Sequence, residues 1–169
     1  DGGVPSEYYE IPIGEPDIKR AGSDLTILTI GATLYRALAA ADRFEREFGI
    51  HCEVIDARSI VPFHYEKVLE SVRRTGKIIL ASDACQRGSI LNDFAENITQ
   101  AAFDYLDAPP VVLGARNWIT PIYELEKEFF PQAEWFLDAY HQKIKPLPDY
   151  TPVYTFNKTE DARRNELGV

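Results

Sequence analysis

The feature that most constrains the fold is a fourfold alternation of short, almost uncharged runs with longer amphipathic stretches. Residues 25–30 (LTILTI) are uncharged and rich in β-branched side chains, the composition of a strand buried on both faces. Gly31 breaks this run. From Thr33 onward, Leu34, Ala37, Leu38, Ala41, Phe44 and Phe48 recur at the three-and-four spacing of an amphipathic helix, which Gly49 ends. The unit then repeats. Residues 52–56 (CEVID) predict a second strand, and residues 65–75 a helix with Val68, Leu69 and Val72 inward and Gly76 at its end. Residues 77–81 (KIILA) predict a third strand, followed by a helical stripe of Ile90, Phe94, Ile98, Ala101 and Tyr105. Pro109 and Pro110 stop the chain before a fourth strand at 111–113. This order is the sequence form of a parallel α/β domain with helices on both faces of its sheet.

The flanks are less regular. A Pro- and Gly-rich lead-in carries Ile11, Ile13 and Ile18 as apolar anchors, while Pro12 and Pro16 confine it to a sheet edge. Pro121 is placed to open a helix with Ile122, Leu125 and Phe129 as its stripe, and a last helix is expected over 133–145, partly burying Phe136, Tyr140 and Ile144. From Pro146 the pattern dissolves into a tail bearing Tyr150, Tyr154 and Phe156, with a charged stretch at 158–166. The expected division is a domain over 1–146 and an arm over 147–169 that lies on a partner or on another part of a longer chain. The sequence has no methionine, even at position 1, which marks the chain as processed or as a piece of something longer.

A chain of 169 residues is the size of one domain, and its 27 Asp and Glu against 18 Lys and Arg give a net charge of −9. Such a chain repels a phosphate backbone unless cations are concentrated locally. Arg73-Arg74 with Lys77 nearby is the tightest group of three, too small a concentration, so no nucleic-acid partner is expected. Cys52 and Cys85 lie far apart and outside any CxxC, which removes disulfide scaffolds and cysteine-rich zinc modules and indicates a reducing compartment. No run approaches the roughly 20 apolar residues of a membrane span, and the N-terminus lacks a basic-then-apolar signal pattern. The expectation is a cytoplasmic chain with no membrane partner.

Candidate chemistry is sparse. Gly31 sits at a strand-to-helix turn, but TIGATL has neither GxGxxG nor a Lys-Ser/Thr pair, so a tight turn is expected rather than a phosphate loop. His51, His64 and His141 fall in three elements without metal-ligand spacing. His64 follows Pro62-Phe63 on the carboxyl side of the second strand, where open α/β sheets place ligands. Cys85 is read as a small residue filling a loop. Asp83 and Asp93 bracket the loop 84–89, where either is placed to accept from backbone N–H groups at a helix start and to pair with Arg87. In RNWITP after the last strand, Asn117 and Trp118 form a polar-flanked aromatic of the kind that anchors interfaces. His64, Asp83, Arg87, Asp93, Asn117 and Trp118 are therefore candidates for an interface or pocket edge. No catalytic, cofactor-binding or metal-binding residue is assigned.

The order of longer motifs says more. IPIG at 11–14, KRAGSDLTI at 19–27, EVIDARSIVP at 53–62, ESVRRTG at 70–76 and FDYLDAP at 103–109 together resemble the C-terminal domain of thiamine-diphosphate-dependent 2-oxoacid dehydrogenases. The resemblance spans roughly 8–146 and is to the E1 beta subunit, or to the beta portion of a fused E1 chain. It implies a transketolase C-terminal-like fold: three α/β/α layers around a mixed, mostly parallel five-stranded sheet whose lead-in strand is antiparallel. It also implies membership of an E1 component that decarboxylates a 2-oxoacid, a branched-chain one among the candidates, and reductively acylates E2 lipoyl groups. Thiamine diphosphate and Mg²⁺ are expected in the full enzyme, between domains this chain lacks. Implied partners are other E1 domains or subunits in a homo- or hetero-oligomer, and an E2 acyltransferase. The chain departs from the family where most beta subunits carry a Glu, a Gly-rich stretch and another Glu. Here stand Asp83, then GSILND at 88–93. His64 replaces a usual Asp, and WITP at 118–121 replaces a loop with two close prolines. Competing readings are a stand-alone interaction module of the same fold, or the C-terminal domain of a transketolase or deoxyxylulose-phosphate synthase.

Overall fold

A computed structural model describes residues 5–153. In chain order the elements are β1 (Asp17–Arg20), β2 (Leu25–Thr29), α1 (Thr33–Phe48), β3 (Cys52–Asp56), α2 (Glu66–Thr75) and β4 (Ile78–Cys85). These are followed by α3 (Ile90–Ala102), β5 (Val111–Ala115), α4 (Glu126–Phe129) and α5 (Ala133–Lys143), with single 3-10 turns at Phe103–Tyr105 and Tyr123–Leu125. The sheet order is β1-β3-β2-β4-β5. The four inner and right-hand strands are parallel, and β1 runs antiparallel along β3. Helices α1 and α5 cover one face and α2 and α3 the other. This is the mixed, three-layer α/β/α architecture that the resemblance implied.

β2, at the centre of the sheet, is uncharged because both of its faces are covered. On β2, Leu25 and Ile27 pack with Phe44 and Phe136, whereas Leu28 packs with Val68, Phe94 and Ile98 on the other side. The buried Thr26 hydroxyl shares hydrogen bonds with Ser71 Oγ at 2.7 Å and Thr75 Oγ1 at 2.8 Å. Glu53, the single charged side chain buried in β3, is matched by Arg74 Nη2, which donates to its Oε1 at 2.6 Å. Both α1 and α2 end as expected, at Gly49 and Gly76 with φ of 64° and 68°.

Several expectations need correction. β4 runs to Cys85, four residues beyond the predicted strand, so Cys85 ends a strand rather than filling a loop. The inward stripe of α3 is Leu91, Phe94, Ile98 and Ala102. Ala101 is exposed and Tyr105 lies in the 3-10 turn after the helix. The helix expected from Pro121 shrinks to α4. The Arg116 amide donates to Phe129 O at 3.1 Å and its Nε to Glu128 O at 2.6 Å, which ties the end of α4 to β5 and leaves residues 117–122 extended across solvent. Phe129 is buried there, but Ile122 and Leu125 are exposed. Ile11, Ile13 and Ile18 are also exposed, so they do not anchor the lead-in. It is held by polar contacts instead: Gly14 N donates to Ser59 Oγ at 3.0 Å and His64 N to Gly14 O at 2.9 Å.

The start of the expected arm packs on the domain. Leu147 is buried, and Tyr150 lies edge-on to Phe48 with ring centroids 5.8 Å apart. Tyr150 Oη donates to Asp138 Oδ1 at 2.6 Å, and the Val153 amide donates to the same oxygen at 3.2 Å. Tyr154, Phe156 and the charged stretch lie outside the described residues. Burial, reinforced by the Asp138 carboxylate, pushes the Tyr150 phenol well above its ordinary value of 10.0. The folded state therefore keeps this proton after the unfolded chain has lost it. The stability it contributes is complete below pH 10 and declines as pH rises beyond it. Tyr150→Phe should cost about 1 kcal/mol at neutral pH in a urea titration and flatten the loss of stability above pH 10. An unchanged midpoint would mean the contact carries no stability.

Candidate functional site: the carboxyl edge of the sheet

β2 is followed by a crossover to β3 on one side, and the chain then returns to β4 on the other. The sheet therefore reverses its winding between β2 and β4. Ligands of open α/β sheets bind outside the carboxyl ends of strands at such a point. A cleft of about 550 Å³ lies there, lined by Ala32, Thr33 and Arg36 from the start of α1, Asp83 from β4, and Tyr123, Glu124, Glu126, Lys127, Phe130, Pro131 and Gln132. No side chain caps α1, whose N-cap is Ala32.

Charges on this edge divide into two groups. At the β1/β3 end they pair with one another: Glu15 Oε1 with His64 Nδ1, Glu15 Oε2 with Lys67 Nζ at 3.2 Å, and Asp17 with Arg58 at 2.6 Å. His64, and then Lys67, hold the Glu15 carboxyl below the usual range. Around the cleft they do not. Among the described residues the cleft's Arg36 and Lys127, and likewise its Asp83, Glu124 and Glu126, form no ion pair, and all five are exposed; Arg87, in the loop after β4, forms none either. Asp93 on α3 and Glu128 on α4 are exposed as well.

Beside the cleft the segment after β5 presents an apolar ridge. Ile119 is 94% exposed, Tyr123 81% and Ile122 70%. The base of the ridge is stacked. The Arg116 guanidinium stacks 4.8 Å from the Trp118 ring and 5.2 Å from the Trp135 ring, which leaves Trp118 half-exposed on a cationic support.

The sequence-predicted residues meet only in part. Asp83 enters the cleft. Arg87 and Asn117 join two loops through the Arg87 amide, which donates to Asn117 Oδ1 at 2.8 Å. Trp118 stands on the ridge as an exposed aromatic. His64 sits at the other end of the edge, holding the lead-in to the loop before α2. The pairing expected for Arg87 with Asp83 or Asp93 is not formed among the described residues, and Ser89, not either aspartate, caps α3 by accepting from Leu91 N at 3.1 Å. Asp93 occupies the first turn of α3, where its charge suits the helix dipole. Sequence reasoning missed Arg36, Lys127 and Arg116. Their one signal was position beside strand ends.

Burial pushes the Cys52 thiol up to about 12, and Cys85 Sγ donates to Arg116 O at 3.4 Å. Among the described residues no group of three or more His, Cys, Asp or Glu is placed to hold a metal ion, and no helix is long and apolar enough to cross a membrane. The cleft's carboxylates, Asp83, Glu124 and Glu126, do not suit a diphosphate.

Residues 14–135 match the family model described as transketolase, C-terminal domain. The chain is 39% identical over 108 residues to the 2-oxoisovalerate dehydrogenase subunit beta of Bacillus subtilis, covering 64% of this chain and 33% of that protein. It is 34% identical to the pyruvate dehydrogenase E1 component subunit beta of the same organism, covering 80% of this chain and 42% of that one. The acetoin:2,6-dichlorophenolindophenol oxidoreductase subunit beta of Cupriavidus necator is 40% identical, with 86% of this chain and 43% of that protein covered. The chain thus spans 33–43% of the length of these relatives. Among solved structures, a split-gene transketolase described as an inactive β4 tetramer superposes with a TM-score of 0.70 at 25% identity, covering 84% of this chain and 47% of that one.

Proposed function

The chain belongs to the transketolase C-terminal domain family and is homologous to the beta subunits of 2-oxoacid dehydrogenase E1 components; from that premise we propose that it is the non-catalytic assembly domain of such an E1 component. The observation that carries the proposal is a carboxyl edge with a cleft, an apolar ridge and unpaired charges but no activated nucleophile or metal group among the described residues. In the whole enzyme the chemistry is oxidative decarboxylation of a 2-oxoacid, branched-chain substrates included, with transfer to the lipoyl groups of E2. Thiamine diphosphate and Mg²⁺ belong to parts outside this chain. The domain joins E1 subunits to one another and offers a docking surface to E2, in the cytoplasm. His64, Asp83, Arg87, Asp93, Asn117 and Trp118 act as contact or framework residues in this reading. The relatives at 34–40% identity favour the dehydrogenase and acetoin group over a transketolase, which enters through a structural neighbour at 25%.

Titration calorimetry of the chain with thiamine diphosphate and Mg²⁺ tests the division of labour. The expected result is no stoichiometric heat and no decarboxylation of pyruvate or 2-oxoisovalerate. Specific one-to-one binding of the cofactor would overturn the proposal.

A further inference from the structure

The three histidines differ in what stands opposite the ring. His51 Nδ1 lies 3.5 Å from Glu45 Oε1, and His64 Nδ1 lies beside Glu15 Oε1. A carboxylate accepts from an imidazole N–H, so protonation leaves both of these contacts intact. His141 Nδ1 instead accepts from the Leu147 amide at 2.9 Å. A backbone amide can only donate, so the bond needs the lone pair of Nδ1 and puts the neutral ring's proton on Nε2. A second ring proton would set one N–H against another.

That amide belongs to the segment that folds back after α5. Leu147 is buried, and the Tyr150 ring lies edge-on to Phe48 of α1 and tilted against His141, with ring centroids 5.5 Å apart in the second pair. The charged groups around this segment come from α1, as Arg43 and Glu47, and from α5, as Glu134, Asp138 and Lys143, with Lys145 and Asp149 in the segment itself. Arg43 pairs with Glu47 and lies 3.5 Å from Glu134, and Asp138 Oδ1 accepts from Tyr150 Oη and Val153 N. Imidazole is the side chain whose ordinary ionisation falls between about pH 5 and 8. The docked segment excludes a proton that the released one admits, so docking is complete above that range and is lost as pH falls through it. We propose that His141 is a pH-sensitive latch, which holds residues 146–153 on α1 and α5 when neutral and releases them when protonated. Release bares the Phe48 ring and the apolar surface beneath Leu147. The inference is a property of this chain alone and does not rest on the assembly role.

Amide hydrogen exchange followed by NMR on the complete chain tests it, with protection taken relative to an unstructured amide at the same pH. The Leu147 and Val153 amides should lose protection by at least about fivefold between about pH 7.5 and about pH 5.5, while those of β2 and β3 keep theirs. His141→Asn places an oxygen that does not titrate near the position of Nδ1, and the segment should then stay protected at both pH values. His141→Phe keeps a ring against Tyr150 without an acceptor and should lose the same protection already at the higher pH. A wild-type segment equally protected at both pH values overturns the proposal. So does a His141→Phe chain that still loosens with acid, since another group would then be titrating. None of these results touches the cofactor titration, so the latch and the E1 assignment fail separately.

Discussion

Gly22→Ala is expected to destabilise the domain by about 3 kcal/mol or more, a large part of the roughly 5–15 kcal/mol that holds such a domain folded. Gly22 lies in the turn between β1 and β2, where a β-carbon would stand 2.2 Å from the Cys52 carbonyl carbon, 2.4 Å from Glu53 N and 2.5 Å from Cys52 O. These are backbone atoms of β3, so no side-chain rotation relieves the clash. Nor is β3 free to retreat. It is hydrogen-bonded to β1 on one side and β2 on the other, with Arg20 opposite Val54 and Leu25 opposite Cys52. The turn itself is fixed by the amides of Ser23 and Asp24, which donate to His51 O at 3.0 and 2.9 Å, and by His51 N, which donates to Asp24 Oδ2 at 2.8 Å. The chain must give up either the turn or the register. Urea titration should show a lower midpoint with an unchanged slope, or no soluble protein. Gly88→Ala, where a β-carbon meets nothing within 4 Å but φ is 67°, should cost only about 1 kcal/mol. If the two variants are equal in stability, the close approach at Gly22 is not a constraint.

Gly22 also shows what the sequence could and could not reveal. The motif KRAGSDLTI at 19–27 marks the segment, but the reason for its glycine lies on a strand some thirty residues later. The strands β2 and β3 and the helices α1 and α2 were legible because local periodicity and burial agree: both sheet faces are covered, and each helix keeps a single apolar stripe. β4 was cut short because Asp83, Ala84 and Cys85 are exposed where the strand outruns the helices, so its hydrophobic signal stops before its pairing does. Residues 121–125 suggested an amphipathic helix by spacing, yet tertiary bonds from Arg116 decided the conformation. The tail around Tyr150 read as an arm for a partner or for another part of a longer chain because its contact within the domain, Asp138, is a buried carboxylate on α5 that no local pattern links to it. At the site the same limit applies more strongly. The cleft joins residues 32–36, Asp83 and residues 123–132, which no local motif connects, whereas Trp118 was legible alone as an aromatic among polar neighbours.

Phe44→Ala should cost about 3–5 kcal/mol, close to the lower limit of the domain's whole stability. Phe44 is fully buried on α1 and meets Tyr140 of α5 edge-on, with ring centroids 5.3 Å apart. Its removal opens a cavity between the two helices that share one face of the sheet, and the tightly packed neighbours Ile27, Val54 and Phe136 have little room to collapse. Phe44→Leu retains most of the volume and should cost about 1.5 kcal/mol. The edge-on pair itself is worth about 0.5–1.5 kcal/mol, which a double-mutant cycle with Tyr140→Leu isolates. The cost should not be spread evenly. α5 is joined to the rest through α1, β5 and the stacking of Trp135 on Arg116, so weakening the α1 seam should raise hydrogen exchange in α5 before it does so in β2 or β3. Because Arg116 also supports Trp118, a loosened α5 should carry its effect to the apolar ridge. In Phe44→Ala, amide exchange in α5 and at Trp118 should therefore rise by more than in Phe44→Leu, under conditions where both remain folded. Equal exchange in the two would show that the segment after β5 is held by β5 alone.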